Sequence, residues 1–188
     1  MNAVEPIRDV LVIESILKDL KETNPKYHAL FLVGIHTGLR ISDILRLRVK
    51  DIRAGEIRIR QQKNKKWVTL PVLPDLRRGI AEYISDKDDN DWLFGSRQRK
   101  LKLKVKRELD RSTVYKMLNK VCRKYGLTSV GCHTTRKTFG YHLYMASEKN
   151  IGLLMEIFGH SDPSITLRYI GITQDTINKA VLKLRYTS

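Results

Sequence analysis

The stretch from residue 56 to residue 70, "EIRIRQQKNKKWVTL", decides the fold class because its apolar residues are spaced differently from those of the flanking sequence. Outside it, apolar residues recur every three or four positions, as in amphipathic helices. Within it, Ile57 and Ile59 alternate with charged residues, and residues 67–70 alternate in the same way. Two alternating runs joined by polar residues predict a β-hairpin, and Asn64 can supply an unusual backbone angle in its turn.

Helical spacing predicts the elements on both sides of the hairpin, with Gly38 as a turn and Ser112 as a helix cap. The expected helices cover about residues 9–22, 25–35, 41–47, 76–84, 112–125, 133–147, 151–158, 164–169 and 173–184. The predicted fold class is therefore mainly α with a small antiparallel β-sheet (α+β). We expect residues 1–188 to form a single domain, since neither internal repeats nor a linker is evident.

The charge of the chain restricts its partners. Lys and Arg total 36 against 20 acidic residues, a net charge of +16, which favours a polyanion such as nucleic acid or an anionic membrane surface. A hydrophobic content of 41% argues against general disorder. The sequence contains neither a long apolar run nor a signal peptide, and its two cysteines lack zinc-site spacing. These features predict a cytoplasmic protein with no membrane partner and no bound metal.

Four short motifs place isolated cations, imidazoles or a tyrosine beside apolar residues. They are residues 37–40 with Arg40, the hairpin turn with Lys63, residues 133–136 with His133 and Arg136, and the pair 159–160 followed by Tyr169. Each motif alone has an ordinary structural explanation, such as a solvated cation, a local helix pair or a packed aromatic ring. Their order along the chain makes the combination informative.

Together the motifs resemble the tyrosine recombinase (phage integrase) family. The matching stretches read "HTGLRISDILRL", "QQKNKKWVTLP", "HTTRKTFGYHL" and "FGHSDPSITLRYIGI". Lys63 lies eight residues before Pro71, as in the family, and Tyr169 follows His160 by nine residues. Lys137 stands where the family often has a second histidine. The resemblance implies the fold of the family's catalytic domain and a catalytic set of Arg40, Lys63, His133, Arg136, His160 and Tyr169.

The resemblance also implies a chemistry in which Tyr169 attacks a DNA phosphate and holds it as a 3′-phosphotyrosine. Arg40 and Arg136 would neutralise the phosphate, and His133 would accept the phenolic proton. Lys63 would protonate the leaving 5′-oxygen. His160 would donate to the phosphate, and no cofactor would be needed.

Residues near the set have two open interpretations. Asp43 either orients Arg40 or is an acid favoured by a helix start. The basic run of residues 96–107 is a mobile loop or a poor edge strand that either contacts DNA phosphates or is merely solvated. Its candidate DNA-binding side chains are Arg97, Arg99, Lys100, Lys102 and Lys104. Trp67, Trp92 and the aromatic residues after Arg136 are interpreted as packing residues.

Members of the family usually carry a DNA-clamping domain before the catalytic domain, and we expect that domain to be absent here. The expected partner is double-stranded DNA in a bacterial host cell. The C-terminal helix either joins protomers into a tetramer on DNA or docks on its own domain. Two rival functions are a DNA-binding regulator that keeps the fold without catalysis and a basic helical module that binds RNA or anionic lipid.

Overall fold

The computed structural model of the protein describes residues 4–63, 65–99, 106–172 and 181–184. Its helices are α1 Val10–Thr23, α2 Pro25–Thr37, α3 Ile41–Ile44, α4 Val49–Arg53, α5 Pro74–Ile84, α6 Arg111–Arg123, α7 Thr134–Ala146, α8 Ile151–Phe158 and α9 Pro163–Tyr169. Its strands are β1 Glu56–Arg60, β2 Trp67–Pro71, β3 Gly95–Arg99 and β4 Lys106–Glu108. The mainly helical fold with a small antiparallel sheet is as predicted. Of the described helices, none is long and apolar enough to cross a membrane.

The predicted hairpin is present, with Glu56 opposite Pro71 and Arg60 opposite Trp67. The inward side chains of β1, Ile57 and Ile59, are buried in the larger of the two hydrophobic cores that the described residues form, which we call the main core. Trp67, however, is 62% exposed, so its interpretation as a packing residue was wrong. It lies on the outward face of the hairpin, where the Arg58 guanidinium is 5.2 Å from the centre of its ring. The left-handed turn residue is Lys65, with a φ of 58°, and Asn64 lies outside the described residues.

Helix α2 forms the centre of the main core. Asn24 caps its first turn, Pro25 begins it, and the side chains along most of its length are buried. Gly34 allows α7 to approach closely, since a Cβ at this position would lie 2.7 Å from Thr135 Oγ1. The close α2–α7 contact fixes the end of α2 relative to the start of α7.

A second, smaller core joins α7, α8 and α9. Leu154, Phe158 and Ile170 are buried at its centre. Partly buried aromatic residues, among them Tyr169, surround this centre. The three aromatic residues after Arg136 that were predicted to pack are also in this group: Phe139, Tyr141 and Tyr144. The last turn of α9 therefore rests on an apolar platform.

Several local predictions needed correction. The cap of α6 is Asp110, whose carboxylate accepts from the backbone N–H of Ser112, so Ser112 is not the cap. Helix α4 was not predicted, because five residues are too few to show a helical period. The basic run contributes its ends to a strand pair, β3 with β4, while residues 100–105 lie outside the described residues. Most of the predicted C-terminal helix, residues 173–180, also lies outside them.

Candidate active site

The position of Arg40 follows from the way in which α2 ends. Gly38 is left-handed, with a φ of 60°, and a Cβ there would lie 2.2 Å from the Phe139 ring, so the turn requires glycine. Arg40 follows at the start of α3. Its guanidinium donates to the side-chain oxygen of Gln61, at the end of β1. Arg40 is therefore held between the α2 turn and the hairpin.

Arg136 lies on the first turn of α7 and is 2% exposed. Its guanidinium donates to the Gly38 carbonyl at 2.5 Å and to the Phe158 carbonyl at 3.5 Å, and it lies 4.4 Å from the centre of the Phe158 ring. The pKa of Arg136 is lowered to about 10, chiefly by burial and in part by the charge of Arg40, while Tyr169 opposes the decrease. Because this pKa is well above 7, the guanidinium stays charged at neutral pH.

Tyr169 is brought to the site by two helix caps. Gly159 ends α8 in a left-handed conformation with a φ of 70°, and Asp162 caps α9 with Pro163 in its first turn. Tyr169 is the last residue of α9, and its hydroxyl oxygen lies 3.0 Å from Nδ1 of His133. Burial raises the pKa of Tyr169, while the charges of Arg136 and Arg40 oppose the rise.

The two histidines flank the Tyr169 ring. The ring of His160 lies edge-on at a centroid distance of 5.4 Å, and that of His133 at 6.2 Å. Desolvation lowers the pKa of both histidines, and nearby arginines lower it further. Nδ1 of His160 is 3.0 Å from the hydroxyl of Thr166, which fixes the ring. Both imidazoles are therefore predominantly neutral at pH 7.

An open cavity of about 370 Å³ lies beside this cluster, with Arg40, Lys63 and His133 in its wall. Lys63 is on the exposed hairpin turn, and its charge contributes to the lowered pKa of His160. Three of the six predicted residues thus line the cavity, and the other three form an adjoining cluster to which the contact between His133 and Tyr169 connects it. The set consists of Arg40, Lys63, His133, Arg136, His160 and Tyr169.

Of two further cations at the site, Arg111 was missed from the sequence, and Lys137 was noted but given no role. Arg111, the first residue of α6, lines the cavity and lowers the pKa of His133. Lys137 has its ammonium 5.1 Å from the centre of the Tyr169 ring. Arg111 belongs to none of the four motifs, so no local signal distinguished it from other surface arginines. Lys137 was recognised only as a variant at a position where the family often has a histidine, and it was left out of the catalytic set.

A family model described as "Phage integrase family" matches residues 9–175. The chain belongs to the phage integrase family. The "Probable integrase/recombinase YoeC" of Bacillus subtilis (strain 168) is 39% identical over 181 residues, which cover 96% of this chain and 96% of YoeC. The "Tyrosine recombinase XerA" of Pyrococcus furiosus is 32% identical over 173 residues, which cover 90% of this chain but 57% of XerA.

Solved structures show the same fold. The "Crystal structure of XerA recombinase" matches with a TM-score of 0.73 and 20% identity, covering 97% of this chain and 66% of that chain. A XerH site-specific recombinase bound to palindromic difH substrate, a post-cleavage complex, matches with a TM-score of 0.69 and 20% identity, covering 96% of this chain and 53% of that one. This phage integrase family chain therefore spans nearly all of YoeC but roughly half to two thirds of the other relatives.

Asp43 in this phage integrase family chain has a role that neither sequence interpretation anticipated. Its side chain is fully buried, and one carboxylate oxygen accepts from the backbone N–H of Gln62 at 2.9 Å. The Arg40 guanidinium donates to the side-chain oxygen of Gln61 instead. Asp43 thus ties the hairpin turn, and with it the neighbouring Lys63, to α3.

The DNA-binding side chains predicted in the basic run are not placed by the structure. Arg97 and Arg99 lie on β3, where the backbone is described and the side chains are not. Lys100, Lys102 and Lys104 lie outside the described residues. Among the residues that the structure does describe, no three His, Cys, Asp or Glu side chains are grouped to hold a metal ion.

The lowered pKa values of the site histidines predict a pH-dependent stability. The unfolded histidine pKa is 6.5, and burial lowers the pKa of His133 and His160 in the folded state. In this pH range the unfolded chain therefore binds more protons than the folded chain. The two histidines thus contribute stability that is present above pH 6.5 and is lost as the pH falls towards their folded pKa values. We expect the unfolding temperature to decrease as the pH is lowered from about 7.5 to about 5.5.

Thermal unfolding of the wild type and of a His133→Gln/His160→Gln variant measures the effect. The unfolding temperature of the variant should fall clearly less over this pH range than that of the wild type. Some decrease should remain in the variant, because burial also lowers the pKa values of His28 and His36. An equal pH dependence in both proteins would contradict the assignment.

Proposed function

We propose that this protein is a site-specific DNA recombinase that cleaves and rejoins DNA strands through a 3′-phosphotyrosine at Tyr169. The relatives in its family are named integrases and tyrosine recombinases, which supports recombination as the reaction class. The observation that carries the mechanism is the 3.0 Å contact between the Tyr169 hydroxyl and His133, beside a cavity lined by cations. The DNA partner is supported by the net charge of +16.

The phosphate would be held by Arg40 and Arg136. A phosphodiester is anionic, and attack by an oxygen spreads further negative charge over its non-bridging oxygens. Guanidiniums supply planar donors that keep their charge through the reaction. Because Arg136 is already fixed by two backbone carbonyls, it offers its remaining donors without losing side-chain freedom during the reaction. Arg111 contributes a further positive charge to the cavity wall.

The phenol of Tyr169 must lose its proton as it attacks. Burial raises its pKa, so the hydroxyl is neutral before the reaction and needs an acceptor. His133 is in place, since its Nδ1 lies at hydrogen-bond distance and its lowered pKa keeps it neutral at pH 7. When the phenol donates to Nδ1, the ring carries its own proton on Nε2. The positive charges of Arg40 and Arg136 stabilise the phenolate character that develops.

His160 would donate to a non-bridging phosphate oxygen. Its Nδ1 contacts the Thr166 hydroxyl at 3.0 Å. When that hydroxyl donates to Nδ1, the neutral ring carries its proton on Nε2, where it is available as a donor. Thr166 is fully buried, so this arrangement is protected from competing water.

Lys63 would give a proton to the leaving 5′-oxygen. We expect Lys63→Ala to slow cleavage about a hundredfold because a general acid is lost. In a substrate with sulfur in place of the leaving 5′-oxygen, the released group is a thiolate. It needs no proton from the protein, since a thiol has a pKa of about 8.5. Single-turnover cleavage of the two substrates measures the effect, and the variant should recover most of the rate on the sulfur substrate.

Lys65→Ala, on the same hairpin turn, serves as the matched control and should cleave both substrates at nearly the wild-type rate. An equal loss of Lys63→Ala on the oxygen and sulfur substrates would show that Lys63 acts in binding rather than as the acid.

Cleavage through the tyrosine preserves the energy of the phosphodiester bond. The P–O bond to the leaving 5′-oxygen breaks as the bond to Tyr169 forms, and the 5′-hydroxyl of another strand can reverse the exchange. No net hydrolysis occurs, so the proposal requires neither a metal ion nor a nucleotide cofactor. Residues 173–184 either join copies of the protein on DNA or dock on their own domain, and both arrangements are compatible with this chemistry.

The test uses a pool of nicked duplexes in which the sequence around the nick is randomised. Cleavage next to the nick releases a short fragment, so the covalent adduct cannot be resealed and accumulates. Protein captured under denaturing conditions in EDTA should carry DNA, and Tyr169→Phe should carry none above background. Sequencing of the captured DNA would also reveal the preferred site.

The competing regulator hypothesis predicts a different result from the same pool. A DNA-binding protein without catalysis would enrich sequences under native conditions but would yield no covalent adduct. A module for RNA or lipid would do neither. Either outcome would overturn the proposed recombinase function.

A further inference from the structure

The segment Glu5–Arg8, which we name the N-terminal strap, binds across α7. The backbone N–H of Ile7 donates to the hydroxyl of Thr138 at 3.0 Å, and its carbonyl accepts from Nε2 of His142 at 3.0 Å. The N–H of Glu5 donates to the Ser129 carbonyl at 2.9 Å. The Ile7 side chain is 2% exposed, so the strap is anchored in the main core.

Arg8, the last residue of the strap, reaches the turn that follows Tyr169. Its guanidinium donates to the Gly171 carbonyl at 3.1 Å and to the Glu5 carboxylate at 2.7 Å. It also lies 5.6 Å from the centre of the Tyr141 ring. The approach is close, since a Cβ on Gly171 would lie 2.5 Å from the guanidinium and would force the end of the Arg8 side chain to shift. The φ of Gly171 is 77°, a conformation that favours glycine.

The turn at Gly171 controls the last residues of α9. The N–H of Gly171 donates to the carbonyl of Arg168 at 3.2 Å, and the N–H of Ile172 donates to that of Leu167 at 2.9 Å. Helix α9 has seven residues, too few to be stable without tertiary contacts. An anchor at Gly171, two residues after Tyr169, therefore restrains the helix end that carries the hydroxyl.

We propose that Arg8 is a positioning residue that holds Tyr169 against His133 by binding the Gly171 carbonyl. Its effect on catalysis rests on the proposed function, whereas its effect on the order of the α9 end does not. Arg8 acts through the backbone and does not touch the hydroxyl. A reacting oxygen displaced by about 1 Å can lose a large part of the rate, so a loose helix end would slow cleavage without weakening DNA binding.

The ion pair between Arg8 and Glu5 does not explain the contact by itself. The two side chains are 43% and 42% exposed, and exposed ion pairs contribute little to stability. Arg78 and Asp75 form a comparable i,i+3 pair, also exposed, on α5. Arg78→Leu is therefore a matched control that removes such a pair without touching the α9 turn.

The experiment compares Arg8→Leu, Arg8→Lys and Arg78→Leu with the wild type. Amide hydrogen exchange of the peptide covering residues 167–172 should be about tenfold faster in Arg8→Leu than in the wild type and unchanged in Arg78→Leu. Single-turnover adduct formation by Arg8→Leu should be about tenfold slower at saturating DNA, with its DNA affinity retained. Arg8→Lys should lie between the wild type and Arg8→Leu in both the exchange rate and the rate of adduct formation, because its ammonium keeps a single donor group.

Unchanged exchange in Arg8→Leu would overturn the inference whatever the activity. Faster exchange with an unchanged adduct rate would overturn it as well, because the turn would then not position Tyr169. A wild type without any adduct would refute the proposed function, and the exchange data would still decide whether Arg8 orders the α9 end. If Arg8→Leu fails to fold, Arg8→Lys decides by the same two readouts.

Discussion

Replacing Tyr169 by phenylalanine is expected to abolish the covalent adduct while leaving DNA affinity and folding nearly unchanged. Phenylalanine keeps the ring, which packs edge-on against Phe158 and His160 at centroid distances of 5.3 and 5.4 Å. It removes only the oxygen that contacts His133. Enzymes that lose their nucleophile lose about four or more orders of magnitude in rate. Adduct formation should therefore fall below detection.

Tyr125→Phe is the matched control for this prediction. It also removes a phenolic hydroxyl, one that donates to the Ser15 carbonyl at 3.0 Å, away from the site. It should form the adduct at the wild-type rate and lose about 1 kcal/mol of stability at most. A Tyr169→Phe protein that still forms adduct would assign the nucleophile to another residue.

Replacing Arg136 by lysine is expected to reduce the cleavage rate about a thousandfold, the loss typical of a transition-state donor. An ammonium is a single point of charge, whereas the guanidinium binds the carbonyls of Gly38 and Phe158 while facing the site. The same change should lower the free energy of unfolding by about 2 kcal/mol, because two buried carbonyls lose a charged donor. Single-turnover cleavage and chemical denaturation measure the two effects.

Arg40→Lys separates the catalytic effect from the structural one. Arg40 is partly exposed, and its side chain binds the side-chain oxygen of Gln61 rather than a pair of buried carbonyls. It should lose about a hundredfold in rate with little change in stability. If Arg136→Lys loses stability but keeps its rate at saturating DNA, Arg136 is a structural residue and the proposed phosphate contact is wrong.

The parts of the fold that the sequence predicted are those whose signals are local. Alternation at Ile57 and Ile59 predicted β1, and the burial of α2 follows from the apolar stretch of residues 29–35. Gly38 forms the turn predicted there and is left-handed, and α8 ends at Phe158 as predicted, with the left-handed Gly159 after it. In these places the residue type and the backbone conformation are linked directly.

The parts that could not be predicted depend on contacts between distant segments. The bond from Asp43 to the backbone of Gln62 joins residues 19 positions apart, and that from Arg8 to Gly171 spans 163. Neither contact leaves a periodic signal. Trp67 was misjudged for a related reason, because alternation shows that a strand has two faces without showing whether the outer one is covered.

The residues of the site were predicted from the order of the motifs, whereas their mutual geometry was not. The Tyr169 hydroxyl and Nδ1 of His133 come from residues 36 positions apart and meet at 3.0 Å. That contact depends on the small core beneath α9. The same holds for Arg111, which enters the cavity wall only because α6 begins there.

Locating the covalent bond is the most direct test of the tyrosine mechanism. Adduct captured from the nicked pool would be trimmed with nuclease and protease, and the nucleotide-bearing peptide would be sequenced by mass spectrometry. We predict a nucleotide joined through its 3′-phosphate to the oxygen of Tyr169, with a free 5′-hydroxyl on the released fragment. A nucleotide attached to another side chain, or attached through a 5′-phosphate, would contradict the account.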